Sequence, residues 1–90
     1  MKITLDPSKR AVTLQHRGLD MARAADVFEG STLRVEDNRV VYGETRWITI
    51  GRLDRRMVVL VWTKRPGERR IISMRKANER EQAIYGARLG

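Results

Sequence analysis

Cysteine is absent and histidine occurs once, at His16, in a chain of 90 residues. The first absence removes any disulfide framework and any thiolate nucleophile or ligand. Together with the lack of clustered carboxylates, the second leaves no donor set for a metal, so no cofactor is expected. Glu36 and Asp37 adjoin in sequence, but neighbours in a strand point to opposite faces. No apolar run approaches the roughly 20 residues of a membrane span. Met1-Lys2-Ile3 opens no secretory signal, so a cytoplasmic setting and no membrane partner are expected. Glycines are scattered and form no phosphate-cradling loop, and no Ser–His–acid motif is present.

What is abundant is positive charge. Lys and Arg number 19 against 11 Asp and Glu, for a net charge of +8. The excess is lopsided: residues 1–51 hold 8 cations and 7 anions, residues 52–90 hold 11 and 4. That imbalance suits a polyanion or an acidic protein partner.

β-Branched and aromatic residues dominate three consecutive stretches, Thr45–Gly51, Met57–Lys64 and Arg69–Arg75, which read as strands. Asp54-Arg55 and Pro66-Gly67 are the turn centres, the latter suited to a type II turn. Two even-length loops put Trp47 opposite Trp62, Thr49 opposite Leu60 and Gly51 opposite Val58. They also put Lys64 opposite Arg69, Leu60 opposite Ser73 and Val58 opposite Arg75. One face is then aliphatic, with Ile48, Ile50, Val59, Val61, Ile72 and Met74, and is expected to lie under helices. The other carries Thr49, Gly51, Ser73, Arg75, the two indoles, Lys64 and Arg69, as if to meet an anion.

The flanks supply those helices. Asp6-Pro7 caps and opens the first, which runs to about His16 with Ala11, Val12 and Leu14 as apolar contributors, and stops at Gly18. Asp20 caps a second, with an apolar stripe at Met21, Ala24, Ala25 and Phe28, ended by Gly30. Ile3–Leu5 and Thr32–Asp37 are short strands, and Arg39–Tyr42 extends a hairpin or forms a loop. Asn78 and Glu81 have capping-box spacing for a last helix with Ile84 and Ala87 on its apolar edge. The expected fold is one α+β domain over residues 1–90: an antiparallel or mixed sheet of about four to five strands, two N-terminal helices and one C-terminal helix.

Cutting RNA without a metal requires activation of the 2′-hydroxyl, charge on the phosphate and a proton for the leaving oxygen. Arg75 answers the second need by bidentate contact. Arg46 and Arg65 join it, and Lys64, Arg69 and Arg70 add cationic contacts. Glu44 is the candidate base, and Tyr85 or Lys64 the candidate proton donor. Trp47 and Trp62 are either a cross-strand structural pair or stacking surfaces for bases. His16 reads as a helix-end or surface residue, or as a participant in catalysis.

Several stretches together resemble the BrnT toxins, a bacterial family with a RelE-like ribonuclease fold. They are Asp6-Pro7-Ser8-Lys9, Gly18-Leu19-Asp20 with Ala24–Phe28, Gly43–Gly51, and Arg70-Ile71-Ile72-Ser73-Met74-Arg75-Lys76-Ala77 with Glu81 and Tyr85. The chain departs from that family at Leu5, often aromatic, at Thr13, commonly asparagine, and at His16-Arg17-Gly18, frequently Lys-His-Gly. The resemblance implies a metal-independent RNA endonuclease that arrests growth, with His16 and Arg17 near its RNA. It implies a BrnA-like antitoxin that covers the basic face and alone contacts DNA, and allows a homodimer or a heterotetramer with that antitoxin. A non-catalytic nucleic-acid-binding module on the same face is the alternative, and a purely protein-binding relic is a third.

Overall fold

Short-range capping chemistry sets the helix boundaries in the computed structural model, which describes residues 1–90. Strand β1 (Lys2–Leu5) runs into Asp6, whose carboxylate accepts the Ser8 N–H at 2.8 Å, and Pro7 opens α1 (Pro7–Arg17). Gly18 closes α1 at φ 66°, its N–H bonded to the Leu14 carbonyl. Val12 and Leu14, expected to face the core, are exposed, and Thr13 is the buried residue of this helix. The reason lies in what α1 covers. β1 is too short to pair the whole of β5 (Glu68–Lys76), and α1 lies along the rest. The stripe Lys9, Thr13, Arg17 faces inward there. Lys9 Nζ donates to the Ile72 carbonyl, and an Arg17 amine donates to the Met74 carbonyl at 2.8 Å. A polar stripe thus satisfies edge carbonyls that a strand would otherwise bond.

Asp20 accepts the Ala22 N–H and starts a 3₁₀ turn, Met21–Arg23, that continues as α2 (Ala24–Glu29). The tight first turn shifts the buried set to Met21, Ala24 and Val27, leaving Ala25 exposed instead of buried as expected.

The remaining strands are β2 (Leu33–Glu36), β3 (Arg46–Leu53) and β4 (Arg56–Arg65); with β1 and β5 they form a five-stranded sheet in the order β1-β5-β4-β3-β2. β1 runs parallel to β5 and every other pairing is antiparallel, so the sheet is mixed. Arg39–Tyr42 is loop. Asp54 and Arg55 both take positive φ, 50° and 71°, as a type I′ turn demands, and Arg23 pairs with the Asp54 carboxylate. Gly67 at φ 73° follows Pro66 as in a type II turn.

Both loops are even, and the Trp47–Trp62, Thr49–Leu60, Gly51–Val58, Lys64–Arg69 and Trp62–Ile71 pairs form. Beyond them a β-bulge intervenes. Ile71 pairs with Trp62 but Ser73 pairs with Val61, so Ile72 is an extra residue. Met74 then faces Leu60 and Arg75 faces Val59, and the expected Ser73–Leu60 and Arg75–Val58 pairs do not occur. One inserted residue inverts the rest of the strand. Met74 joins the indole face, while Ser73 and Arg75 cross to the face of Ile48, Ile50, Val59 and Val61.

The coverage of the two faces also differs from expectation. The indole face carries the main core: Val58, Leu60, Trp62, Ile71 and Met74 pack against Leu19, Met21, Ala24 and Val27. Each Val, Leu, Ile or Met side chain among them, fully buried, contributes about 1.5–3 kcal/mol. α2 packs tightly against Gly51, for a Cβ there would lie 2.7 Å from a Val27 methyl. On the opposite face α3 (Glu79–Leu89) covers only one end, burying Leu89 and half-burying Tyr85 against Ile50, Met57 and Val59. Ile84 and Ala87, the expected apolar edge, are exposed. No helix is long and apolar enough to cross a membrane.

Candidate active site

α3 leaves the other half of its sheet face open, and there the strands line up three side chains. Arg70 of β5 faces Thr63 of β4, which faces Arg46 of β3. Thr63 turns its hydroxyl to the Thr45 carbonyl at 2.7 Å, leaving the two guanidiniums as the functional groups of the row. Arg46 is held from two sides: its Nε donates to Glu44 at 3.3 Å, and its guanidinium lies 4.0 Å from the centre of the Tyr42 ring. An Arg65 amine lies 3.9 Å from the other Glu44 oxygen, so this carboxylate sits between two arginines.

The loop between β2 and β3 positions that group. Asp37 is buried and accepts two bonds of 2.8 Å from the Arg39 guanidinium, one from the Arg39 N–H and one from the Tyr42 hydroxyl. The Arg39 side chain, foremost among these donors, holds the carboxyl far below the usual range. The role of this loop as a footing for Tyr42 and Arg46 is not visible in the sequence. The Asp37 side chain accepting the N–H two residues on is an Asx turn, the one local signal available.

Arg75 stands further along the same face, not beside Gly51 as parity alone required. It makes a bidentate pair with Glu81, at 2.7 and 2.8 Å. Glu81 also accepts the Asn78 N–H at 2.9 Å, and Asn78 accepts the Glu81 N–H at 2.8 Å, completing the capping box of α3. The Arg75 guanidinium, and secondarily the Asn78 N–H, hold the Glu81 carboxyl down at about 2. Glu81 in turn raises the Arg75 pKa. Tyr85, one turn on, packs into the cluster beneath α3.

Ser73 connects this face to α1. It lines a groove of about 450 Å³ with Lys9, Thr13, His16 and Arg17 among the other walls. The single imidazole of the chain thus comes next to a strand whose neighbouring residues are Arg70 and Arg75.

Four other candidates lie on the opposite face. Trp62 is 3% exposed and donates its indole N–H to the Thr49 hydroxyl at 2.8 Å, so its ring belongs to the core and offers no surface to a base. Trp47 is half-buried, 6.5 Å from Trp62 between ring centres. Arg69 spreads over Phe28 and Trp62, at 4.1 and 5.2 Å from the ring centres, and Lys64 is exposed opposite it. The single cationic face expected from the sequence is therefore two. Arg46, Arg65, Arg70 and Arg75, with Glu44, occupy one beside His16 and Arg17, while Lys64, Arg69, Trp47 and Trp62 occupy the other.

The first of these faces has the makings of phosphodiester chemistry. It offers planar cations able to bind phosphate and a carboxylate able to move a proton, with an imidazole on the helix beyond its edge. No cluster of three His, Cys, Asp or Glu side chains suited to a metal occurs anywhere in the fold. A comparison with curated proteins finds no match. Residues 5–81, from the end of β1 to the capping box of α3, match a family described as the ribonuclease toxin BrnT of type II toxin-antitoxin systems. With residues 5–81 of its 90 matched, the chain belongs to the BrnT family of ribonuclease toxins, whose partner is a protein antitoxin.

Proposed function

We propose that this toxin cleaves RNA without a metal, on the open face bounded by Arg46, Arg70, Arg75 and the groove of His16, and that a BrnA-like antitoxin neutralises it. The observation that carries the reading is the Arg70–Thr63–Arg46 row, with Glu44 bridging Arg46 and Arg65 at its end. A phosphodiester bound across the row meets guanidiniums that are already oriented, by Tyr42 and Glu44 in the case of Arg46. Glu44 takes the proton of the 2′-hydroxyl, whose oxygen attacks the adjacent phosphorus. The bond to the 5′-oxygen breaks, leaving a 2′,3′-cyclic phosphate and a 5′-hydroxyl. The departing oxygen takes a proton from solvent, while His16, on α1 beyond β5 and two strands from Glu44, contacts the RNA further along the chain. Arg75 stabilises the charge on the phosphate and needs Glu81 to hold it in place. Tyr85 acts through the docking of α3. The donor chemistry supports metal independence, since one histidine, no cysteine and dispersed carboxylates offer no coordination set. The reaction places the toxin in the cytoplasm with its substrate, and contact with DNA passes through the antitoxin.

The test is incubation of purified protein with single-stranded RNA in EDTA. Cleavage to 2′,3′-cyclic phosphate ends is expected, and it should fall with Glu44→Gln. Retention of RNA without any cleavage would leave the face as a binding surface only.

A further inference from the structure

We propose that the second cationic face is a socket for a carboxylate side chain, and that an acidic segment of the protein antitoxin anchors there. The inference rests on the reading that a bound antitoxin neutralises this toxin. Its starting point is a pair of arginines with no anion. Arg69 lies between Phe28 and Trp62 with its Nε buried and without an acceptor. Arg34, on β2, lies 4.8 Å from the centre of the Trp47 ring. Phe28, Thr32, Arg34, Thr49, Trp62 and Arg69 enclose a cavity of about 140 Å³ between them. Neither arginine takes part in any of the ion pairs of the fold, although Asp20, Asp26, Asp37, Asp54, Glu44 and Glu81 each hold one elsewhere. Glu29 lines a neighbouring cavity beside Arg69 but does not pair with it.

Lys64 sharpens the imbalance, because it faces Arg69 directly across the β4–β5 pair. Like charges so opposed repel, and Glu36, which shares this face opposite Trp47, forms no ion pair with any of these cations. Stacking on aromatic rings has meanwhile fixed the guanidinium planes, so little side-chain entropy remains to be lost on binding. Such arginines, desolvated on one side and pre-oriented, are the usual anchors of protein interfaces.

The cavity selects the anion. A phosphodiester carries a ribose on either side and cannot be lowered into about 140 Å³ walled by two aromatic rings. The end of an Asp or Glu side chain can enter it and reach a guanidinium from within. Position agrees, for this face lies across the sheet from the Arg70–Thr63–Arg46 row, so an antitoxin can hold the socket without competing with RNA for the same cations.

Two measurements decide the matter. Arginine Nε–H signals of the isotopically labelled toxin are followed during titration with N-acetylglutamate α-amide and, separately, with the dinucleotide dTpT, whose phosphate carries a sugar on either side. The carboxylate should shift the Arg69 signal saturably and the dinucleotide phosphate should not. A saturable response to the phosphate alone would assign the face to nucleic acid, and no response to either would end the proposal. In the second, Arg34→Glu toxin is compared with wild type for RNA cleavage and for affinity to the co-expressed antitoxin. Cleavage should be unchanged and affinity lower by roughly thirtyfold. Equal affinity would overturn the socket. Wild-type toxin that fails to cleave RNA would instead sink the functional reading, while the titration still reports on the socket.

Discussion

At the scale of single residues, Arg75 has two roles that separate experimentally. It belongs to the face proposed to bind the scissile phosphate, and it ties β5 to the first turn of α3 through Glu81. Arg75→Ala should slow RNA cleavage on the order of 10²–10³-fold, the cost of one preorganised donor. The stability lost should be only about 1 kcal/mol, because the pair is partly solvated. A variant that melts normally and cleaves at the wild-type rate removes Arg75 from the mechanism. Its partner gives a pH signature. The Glu81 carboxyl lies at about 2 in the fold against an ordinary 4.5, so it binds protons more weakly folded than unfolded. Its stabilisation is therefore complete above about pH 4.5 and drains away as pH falls toward 2. Asp20, Asp37 and Asp54 are held low by arginines too and add their own acid slope. The difference in melting temperature between wild type and Glu81→Gln isolates the one group. It should be constant above pH 5 and shrink below 4, and a gap that stays flat to pH 2.5 would mean the pair contributes nothing.

Among the elements, β5 shows most clearly what could be read in advance. Turn residues and β-branched runs revealed three strands, both hairpin loops and the register as far as the Trp62–Ile71 pair. Asp6, Asp20 and Asn78 likewise revealed three helix starts. The bulge at Ile72 left no comparable mark, because Arg70-Ile71-Ile72-Ser73 is equally apolar and β-prone in either register. Yet that single residue decides which arginines share a face, and so splits the candidate site. The apolar stripes failed for a related reason. Val12 and Leu14 are exposed because α1 rests on edge carbonyls through Lys9 and Arg17 and buries little of its apolar surface. The sequence puts the helices on the aliphatic face because the small and polar residues beside the indoles look suited to an anion, whereas α2 packs against that side at Gly51. The last point is open to measurement. Gly51→Ala places a methyl 2.7 Å from the Val27 side chain and should destabilise the fold by about 1–3 kcal/mol in denaturant titration. Val27→Ala in the same chain should recover part of that loss. Full additivity of the two changes would show that α2 does not press on the sheet at this point.

For the molecule as a whole, the net charge of +8 had been attributed to one surface, and the fold distributes it over two. This makes the ionic-strength dependence of RNA binding a spatial probe. Each phosphate neutralised on a single strand releases counterions and adds about −0.7 to the slope of log K against log salt. If RNA lies across the Arg70–Thr63–Arg46 row, Arg46→Gln with Arg70→Gln should make the slope shallower by about 0.7 for each phosphate left without its cation. Affinity should fall alongside it at every salt concentration. Arg55 provides the control, since it lies exposed in the β3–β4 turn, at the opposite end of those strands from Arg46. Arg55→Asn removes a charge of the same sign and keeps a residue that accepts positive φ, yet it should lower affinity only through the weak, screened long-range field and leave the slope unchanged. The comparison is made by fluorescence anisotropy with a labelled single-stranded RNA between low and moderate salt, in EDTA and with a 2′-deoxy residue at the cleavage position. Equal slopes for wild type and the double variant would place the phosphates elsewhere on the surface. An equal loss of slope from Arg55→Asn would mean that RNA responds to total charge and not to the row, and the strand register would then have no bearing on where it binds.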